Sequence, residues 1–137
     1  MNQVVVKQEK SGYQIVEAYK SLRTNLQFCG EDKKVIAVTS CTPNEGKSSV
    51  SMQLGISLAE SGKRVILIDA DLRKSVLLGR TKTQKSVRGL AHFLSGQATL
   101  EDVICSTNVK NFYMIYSGPF PPNPAELLGG KNFRSLL

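Results

Sequence analysis

The chain has 137 residues, of which 41% are hydrophobic, and this is enough for a single domain with a real core. Its three cysteines are an odd set with no metal-binding spacing, which excludes a disulfide framework and a zinc site and is typical of reduced thiols. The net charge of +7 suits an anionic ligand or surface, but no basic tract with interleaved aromatics points to nucleic acid. No apolar run approaches the roughly 20 residues that span a bilayer, and no signal peptide pattern begins the chain.

The amino-terminal third predicts an arm, a helix and a strand. Residues 1–12 turn polar early and are expected to form a loosely held arm ahead of a nucleotide-binding domain over 13–137. Residues 13–28 have apolar side chains at helical spacing. Residues 35–39 are an aliphatic, β-branched run, which predicts the first buried strand of a sheet.

Helices and strands then alternate along the chain, as in β/α units. Predicted helices cover 48–61, with Gly62 ending the helix, then 90–94, a segment that starts at Thr99, and a segment capped by Asn123 with Pro124 first. Predicted strands cover 65–68 and 112–116, and the polar segment 77–86 is expected to be a mobile rim.

The loop between the predicted strand at 35–39 and the next helix contains Gly-Lys-Ser, which is the layout of a triphosphate cradle. Loop amides and the positive end of the helix would face phosphate oxygens. Lys47 can reach the β- and γ-phosphates, and the Ser48 hydroxyl can ligate Mg²⁺. Cys41 stands where the strict pattern has a first glycine, so the motif alone is weak and depends on this context. The candidate nucleotide-binding residues are Thr42, Pro43, Asn44, Glu45, Gly46, Lys47, Ser48 and Ser49.

A second motif, VILIDADLR, places Asp69 directly after four aliphatic residues, with Asp71 two positions later. Such a run is typical of a strand buried on both faces, and ligands collect at the carboxyl ends of parallel strands. Asp69 could therefore hold Mg²⁺, directly or through water, or accept a proton from a hydroxyl. The alternative is that Asp69 only caps the next turn while Asp71 is solvated.

These segments together resemble the bacterial tyrosine kinases of capsule and exopolysaccharide synthesis. The resemblance is carried by SCTPNEGKSS and VILIDADLR and by three further stretches, EAYKSLRTNLQF, RGLAHFLSGQATLEDVI and SGPFPPNPAELL. It implies an α/β fold, a P-loop NTPase-type three-layer sandwich with a mostly parallel sheet. The family's third motif and its C-terminal tyrosine cluster are not found, so the chain is expected to lack the C-terminal part of the domain.

The resemblance implies an autophosphorylating protein-tyrosine kinase that uses ATP and Mg²⁺. Lys47, Asp69 and Asp71 would be catalytic, with Ser48 and Asp69 as metal ligands. Glu17, Lys20 and Arg23 would make subunit contacts, although the family has Arg where this chain has Lys20. A solvated helix face with i, i+3 pairs is the alternative for these three positions.

The implied partners are a membrane adaptor of polysaccharide export, whose cytoplasmic tail activates the kinase, further copies of the chain, and tyrosine-containing protein substrates, with no nucleic acid. The implied location is cytoplasmic, peripheral at the inner face of the plasma membrane. Two alternatives stay open. One is a positioning ATPase of the partitioning or division-site kind, although its extra loop lysine is absent between Ser40 and Gly46. The other is a nucleotide-binding module without catalysis.

Overall fold

The computed structural model describes residues 2–6, 13–30, 34–38, 47–71, 81–83, 88–118 and 121–137. Within these ranges the chain forms a five-stranded sheet with helices on it. The strands are β1 (Asn2–Val6), β2 (Val65–Ile68), β3 (Thr81–Thr83), β4 (Cys105–Thr107) and β5 (Phe112–Ile115). The helices are α1 (Tyr13–Phe28), α2 (Lys47–Glu60), α3 (Leu90–Leu94), α4 (Leu100–Val103), α5 (Pro124–Leu128) and α6 (Lys131–Leu136).

The sheet has the strand order β2-β5-β4-β1-β3 and is mixed. The pairs β2–β5 and β1–β4 are parallel, whereas β4–β5 and β1–β3 are antiparallel. The predicted α/β class is confirmed, and the sheet is less uniformly parallel than the sequence indicates.

Two apolar clusters cover the two faces of the sheet, as the alternation of side chains along β5 requires. Phe112 and Met114 point into a cluster with Met52 and Ile56 of α2. Ile115 points to the other face, into a cluster built by α3 to α6. Helix α1 lies on α2, outside the first cluster. Helices therefore lie on both sides of the sheet, which is the predicted three-layer arrangement.

The predicted first strand is not part of the sheet. Residues 34–38 have no regular structure, and Val35 and Ile36 are 65% and 45% exposed. Strand β5 pairs with β2 on one side and with β4 on the other, so β5 has no free backbone edge with which residues 34–38 could pair. The prediction of a buried strand at 35–39 was therefore wrong for residues 35–38, because strand propensity does not decide which segment takes a given edge.

The predicted arm is also corrected, because residues 2–6 form β1 inside the sheet. The side chains of Val4 and Val6 are buried, at 3% and 2% exposure, and β1 pairs with both β4 and β3. Asn108 holds the end of this strand, since its Oδ1 accepts the Val6 amide at 2.7 Å. The described part of the arm thus belongs to the domain, and its alternating valines were the signal for a strand.

Two further strands were not predicted. Thr81–Thr83 of the polar segment 77–86 form β3 at the sheet edge, and Cys105–Thr107 form β4 beside β5. Both have three residues, which is too short for a periodicity to be visible in the sequence.

Candidate functional site

Asp69 lies immediately after β2, at its carboxyl end. Its amide donates to the carbonyl of Ile115 at 2.9 Å, so the backbone extends the β2–β5 pairing by one residue. The residue is 8% exposed, and among the described residues Asp69 is the one buried carboxylate. A carboxylate rarely takes such a position without hydrogen-bond partners.

The Asp69 carboxylate organises the turn that follows the strand. Its Oδ1 accepts the amide of Asp71 at 3.1 Å, which is an Asx-type turn. The half-buried Asp71 stays beside it, so the sheet end carries two carboxylates two residues apart. The turn-capping role that sequence reasoning kept as an alternative is thus present for Asp69. It does not exclude a further ligand, since a carboxylate has about four acceptor positions.

Helix α2 begins at Lys47, one residue earlier than predicted, and the backbones of Lys47, Ser48 and Ser49 form its first turn. Residues 39–46 lie outside the described residues, and with them the candidate cradle positions Thr42, Pro43, Asn44, Glu45 and Gly46.

The direction of α2 brings its start to the Asp69 end of the sheet. Helix α2 packs on β2 and is joined to it only by residues 61–64, with Gly62 at a φ of 98° in the turn. The helix therefore runs antiparallel to β2, and its amino terminus lies at the carboxyl end of the strand. The two predicted motifs, Gly-Lys-Ser and Asp69, share one end of the molecule, where an amide-rich helix start can face an anion.

Beside this end of the sheet, two backbone segments meet in a contact that was not predicted from the sequence. Gly89 packs directly on Gly118, just past β5, and the first amides of α3 bond to the same segment. The amide of Leu90 donates to Tyr116 O at 2.6 Å, and that of Ala91 donates to Ser117 O at 2.9 Å. The only sequence signal was the pair of glycines, which allow two backbones to approach closely.

The three predicted subunit-contact residues have two different environments on α1. Lys20 Nζ lies 3.5 Å from Glu17 Oε1, and both side chains are about half exposed, which is the i, i+3 pair of the alternative interpretation. Arg23 instead bonds to α2, where its Nη1 donates to Ser57 O at 2.9 Å and contacts Ser57 Oγ at 3.2 Å.

His92 hydrogen-bonds to the backbone at the start of α3. Its Nδ1 accepts the amide of Gly89 at 3.0 Å, which fixes the ring at the start of α3. In the described ranges no three or more His, Cys, Asp or Glu side chains are grouped as metal ligands. A search of the same ranges finds no helix with the length and apolarity needed to cross a membrane.

The fold is that of a P-loop type α/β domain. Residues 33–120 match the profile of the AAA domain family, and the chain belongs to that family.

The relatives that match this chain indicate a narrower class than the AAA domain family, because they are tyrosine kinases. The chain is 44% identical over 121 residues to the tyrosine-protein kinase CpsD of Streptococcus agalactiae, which covers 88% of this chain and 53% of CpsD. It is 39% identical over 122 residues to the tyrosine-protein kinase YwqD of Bacillus subtilis, which covers 88% of this chain and 51% of YwqD.

The kinase domain of the Escherichia coli tyrosine kinase ETK has a similar structure, with a TM-score of 0.81 at 36% identity, over 88% of this chain and 48% of that one. The predicted resemblance to bacterial tyrosine kinases is confirmed. The chain spans about half the length of the curated relatives it matches.

Proposed function

We propose that this chain is the nucleotide-binding part of a bacterial protein-tyrosine kinase that transfers the γ-phosphoryl group of ATP to tyrosine hydroxyls. The observation that supports this most strongly is the shared end of the sheet, where α2 starts with Lys47 and Ser48 and the buried Asp69 directly follows β2. The identity to CpsD and YwqD favours the kinase over a positioning ATPase of the same fold.

In the proposed reaction the bond between the γ-phosphorus and the β–γ bridging oxygen breaks as the tyrosine oxygen bonds to that phosphorus. The phosphate cradle is proposed to be the segment 42–46 with the first turn of α2. Lys47 would stabilise charge on the leaving phosphates, and Asp69 would orient the tyrosine hydroxyl and take its proton, with Asp71 assisting. Positioning and charge stabilisation supply most of the catalysis in phosphoryl transfer.

The residues at this end fit Mg²⁺, because it prefers oxygen ligands and is usually held by one or two carboxylates together with substrate phosphates. Asp69 offers a carboxylate on a strand end that is already held by its own hydrogen bonds. Ser48 and Asp69 would hold the ion, which when bound neutralises charge on the phosphates.

The wider assignment follows from the same family. We propose a role in regulating capsular or exopolysaccharide synthesis, with activation by the cytoplasmic tail of a membrane adaptor and phosphorylation between neighbouring copies. The chain would then act in the cytoplasm at the inner face of the plasma membrane. Glu17, Lys20 and Arg23 are the proposed subunit contacts on α1.

The test is a phosphotyrosine assay with the purified chain, radiolabelled ATP, Mg²⁺ and a tyrosine-containing polypeptide, with and without an adaptor tail peptide. The matched pair of variants is Lys47→Met in the candidate cradle and Lys63→Met in the exposed turn after α2. We expect label on tyrosine with the unaltered chain and with Lys63→Met, and none with Lys47→Met. Equal labelling by both variants would contradict the assignment, and ATP binding without any transfer would identify a non-catalytic module.

A further inference from the structure

Tyr116 directly follows β5 and is the neighbour of Asp69 across the strand pair. The parallel register sets Ile68 beside Ile115, and the Asp69 amide donates to the carbonyl of Ile115 at 2.9 Å, so the pairing continues for one more residue. Asp69 and Tyr116 therefore lie in register, about 4.8 Å apart between neighbouring backbones. Because β2 is an edge strand of the described sheet, no second described strand flanks Asp69.

The two side chains lie on the same face of the sheet. Tyr116 belongs to the apolar cluster under α2. On β2, Leu67 packs against this cluster and Ile68 against the one on the other face, so the alternation of side chains places Asp69 on the α2 face. At 3% and 8% exposure both residues are buried. The aromatic ring and the carboxylate thus lie side by side between the sheet and α2.

The backbone of Tyr116 is held at a fixed place. Its carbonyl accepts the amide of Leu90 at 2.6 Å, which ties the end of β5 to the start of α3. On the strand side, one oxygen of Asp69 already accepts the amide of Asp71 at 3.1 Å. A carboxylate with one oxygen hydrogen-bonded and a fixed ring along its flank has few side-chain conformations left.

We infer that Tyr116 is a positioning residue for Asp69, and that its ring holds the carboxylate in the orientation that phosphoryl transfer needs. Tyr116 acts through Asp69 and does not itself touch the substrate. Reacting groups have to be held within roughly 0.5 Å of the productive geometry, and a displacement of about 1 Å can cost on the order of a hundredfold in rate. The inference rests on the proposed role of Asp69 in phosphoryl transfer.

The experiment makes the same aromatic-to-leucine change at the two ends of β5, as Tyr116→Leu and Phe112→Leu. Phe112 is 1% exposed, lies in the same cluster and has Val65 as its in-register neighbour, about 13 Å along the strand from Tyr116. Both variants should lower the melting temperature, because both remove buried volume. Only Tyr116→Leu should lower kcat for tyrosine phosphorylation, by about tenfold or more, with the KM for ATP within about threefold.

A third variant, Tyr116→Phe, keeps the ring and removes the hydroxyl. Its kcat should lie within about threefold of the unaltered chain, because the ring supplies the flank of the carboxylate. The inference is overturned if Tyr116→Leu keeps the normal kcat or if Phe112→Leu loses as much of it. An equal loss in Tyr116→Phe and Tyr116→Leu would also overturn it, because the hydroxyl and not the ring would then carry the effect.

A double-mutant cycle measures the contact without nucleotide. The unfolding equilibrium constants of Tyr116→Leu and Asp69→Ala should fail to multiply in the double variant by about threefold or more, whereas those of Phe112→Leu and Asp69→Ala should multiply within about twofold. Multiplicative behaviour of both pairs would overturn the contact itself. If the unaltered chain transfers no phosphoryl group, the proposed function fails and the positioning role fails with it, while the cycle still reports whether the two side chains interact.

Discussion

The amide of Asp71 donates to the carboxylate of Asp69 at 3.1 Å, so the buried acid that directly follows β2 also shapes the turn after the strand. The hydrogen bond needs an acceptor oxygen at this position but no charge. Metal binding and proton acceptance need the charge. The two roles of Asp69 can therefore be separated by substitution.

Asp69→Asn keeps an acceptor oxygen for the Asp71 amide, and Asp69→Ala removes it. We expect the unfolding free energy of Asp69→Asn to lie within about 1 kcal/mol of that of the unaltered chain, and Asp69→Ala to lose about 1–3 kcal/mol because the part-buried Asp71 amide loses its partner. Both should lose Mg²⁺-dependent phosphoryl transfer by at least about a hundredfold, or about 3 kcal/mol. Denaturant unfolding and transfer rates measure the two effects, and transfer at the normal rate by Asp69→Asn would remove Asp69 from the mechanism.

The contact between Gly89 and Gly118 predicts a steep cost for one methyl group. A Cβ on Gly89 would overlap the nitrogen and the Cα of Gly118, and backbone atoms cannot move aside as a flexible side chain does. We expect Gly89→Ala to lose about 3 kcal/mol or more of unfolding free energy.

Gly96→Ala is the matched control for this prediction. Gly96 has a φ of 81° and open space around its Cβ direction, so alanine there meets backbone strain alone, at about 1–2 kcal/mol. Urea titration of the two variants gives the comparison. Equal losses would mean that the Gly89–Gly118 approach is not tight in solution.

Much of the fold could be predicted because its signals are local. Helix α1 and strand β2 have the predicted bounds, and α2 differs by one residue at each end. The spacing of Thr99 and Asp102 predicts the start of α4, where the Thr99 amide donates to Asp102 Oδ2 at 2.9 Å. Apolar periodicity and caps depend on neighbours in sequence, so the sequence alone contains them.

The errors concern competition between distant segments. Residues 35–38 and 2–6 both have strand-forming side chains, and only the second group lies in the sheet. Which segment takes an edge depends on the whole packing and not on local propensity. The hydrogen bond from Arg23 to Ser57 could not be predicted for the same reason, because the two residues are 34 positions apart in the sequence.

The cap at α4 predicts a pH dependence. The hydrogen bonds from the Thr99 amide and the Thr99 hydroxyl hold the pKa of Asp102 below its usual value. A lowered pKa in the folded state contributes stability above the unfolded pKa, and this contribution is lost as the pH falls through the folded value. Asp102→Asn should therefore melt below the unaltered chain at neutral pH, and the gap should narrow below about pH 4. Melting curves at several pH values test this, and a gap independent of pH would show that the carboxylate charge is irrelevant there.

The central claim is that the start of α2 and the end of β2 form one site for a nucleotide triphosphate with its metal. Calorimetric titration of the folded chain with ATP, in the presence and absence of Mg²⁺, tests it most directly. We predict saturable binding that Mg²⁺ strengthens, that Lys47→Met weakens by about tenfold or more, and that Lys63→Met leaves unchanged. No saturable heat with the unaltered, folded chain, or equal binding by the two lysine variants, would contradict the account.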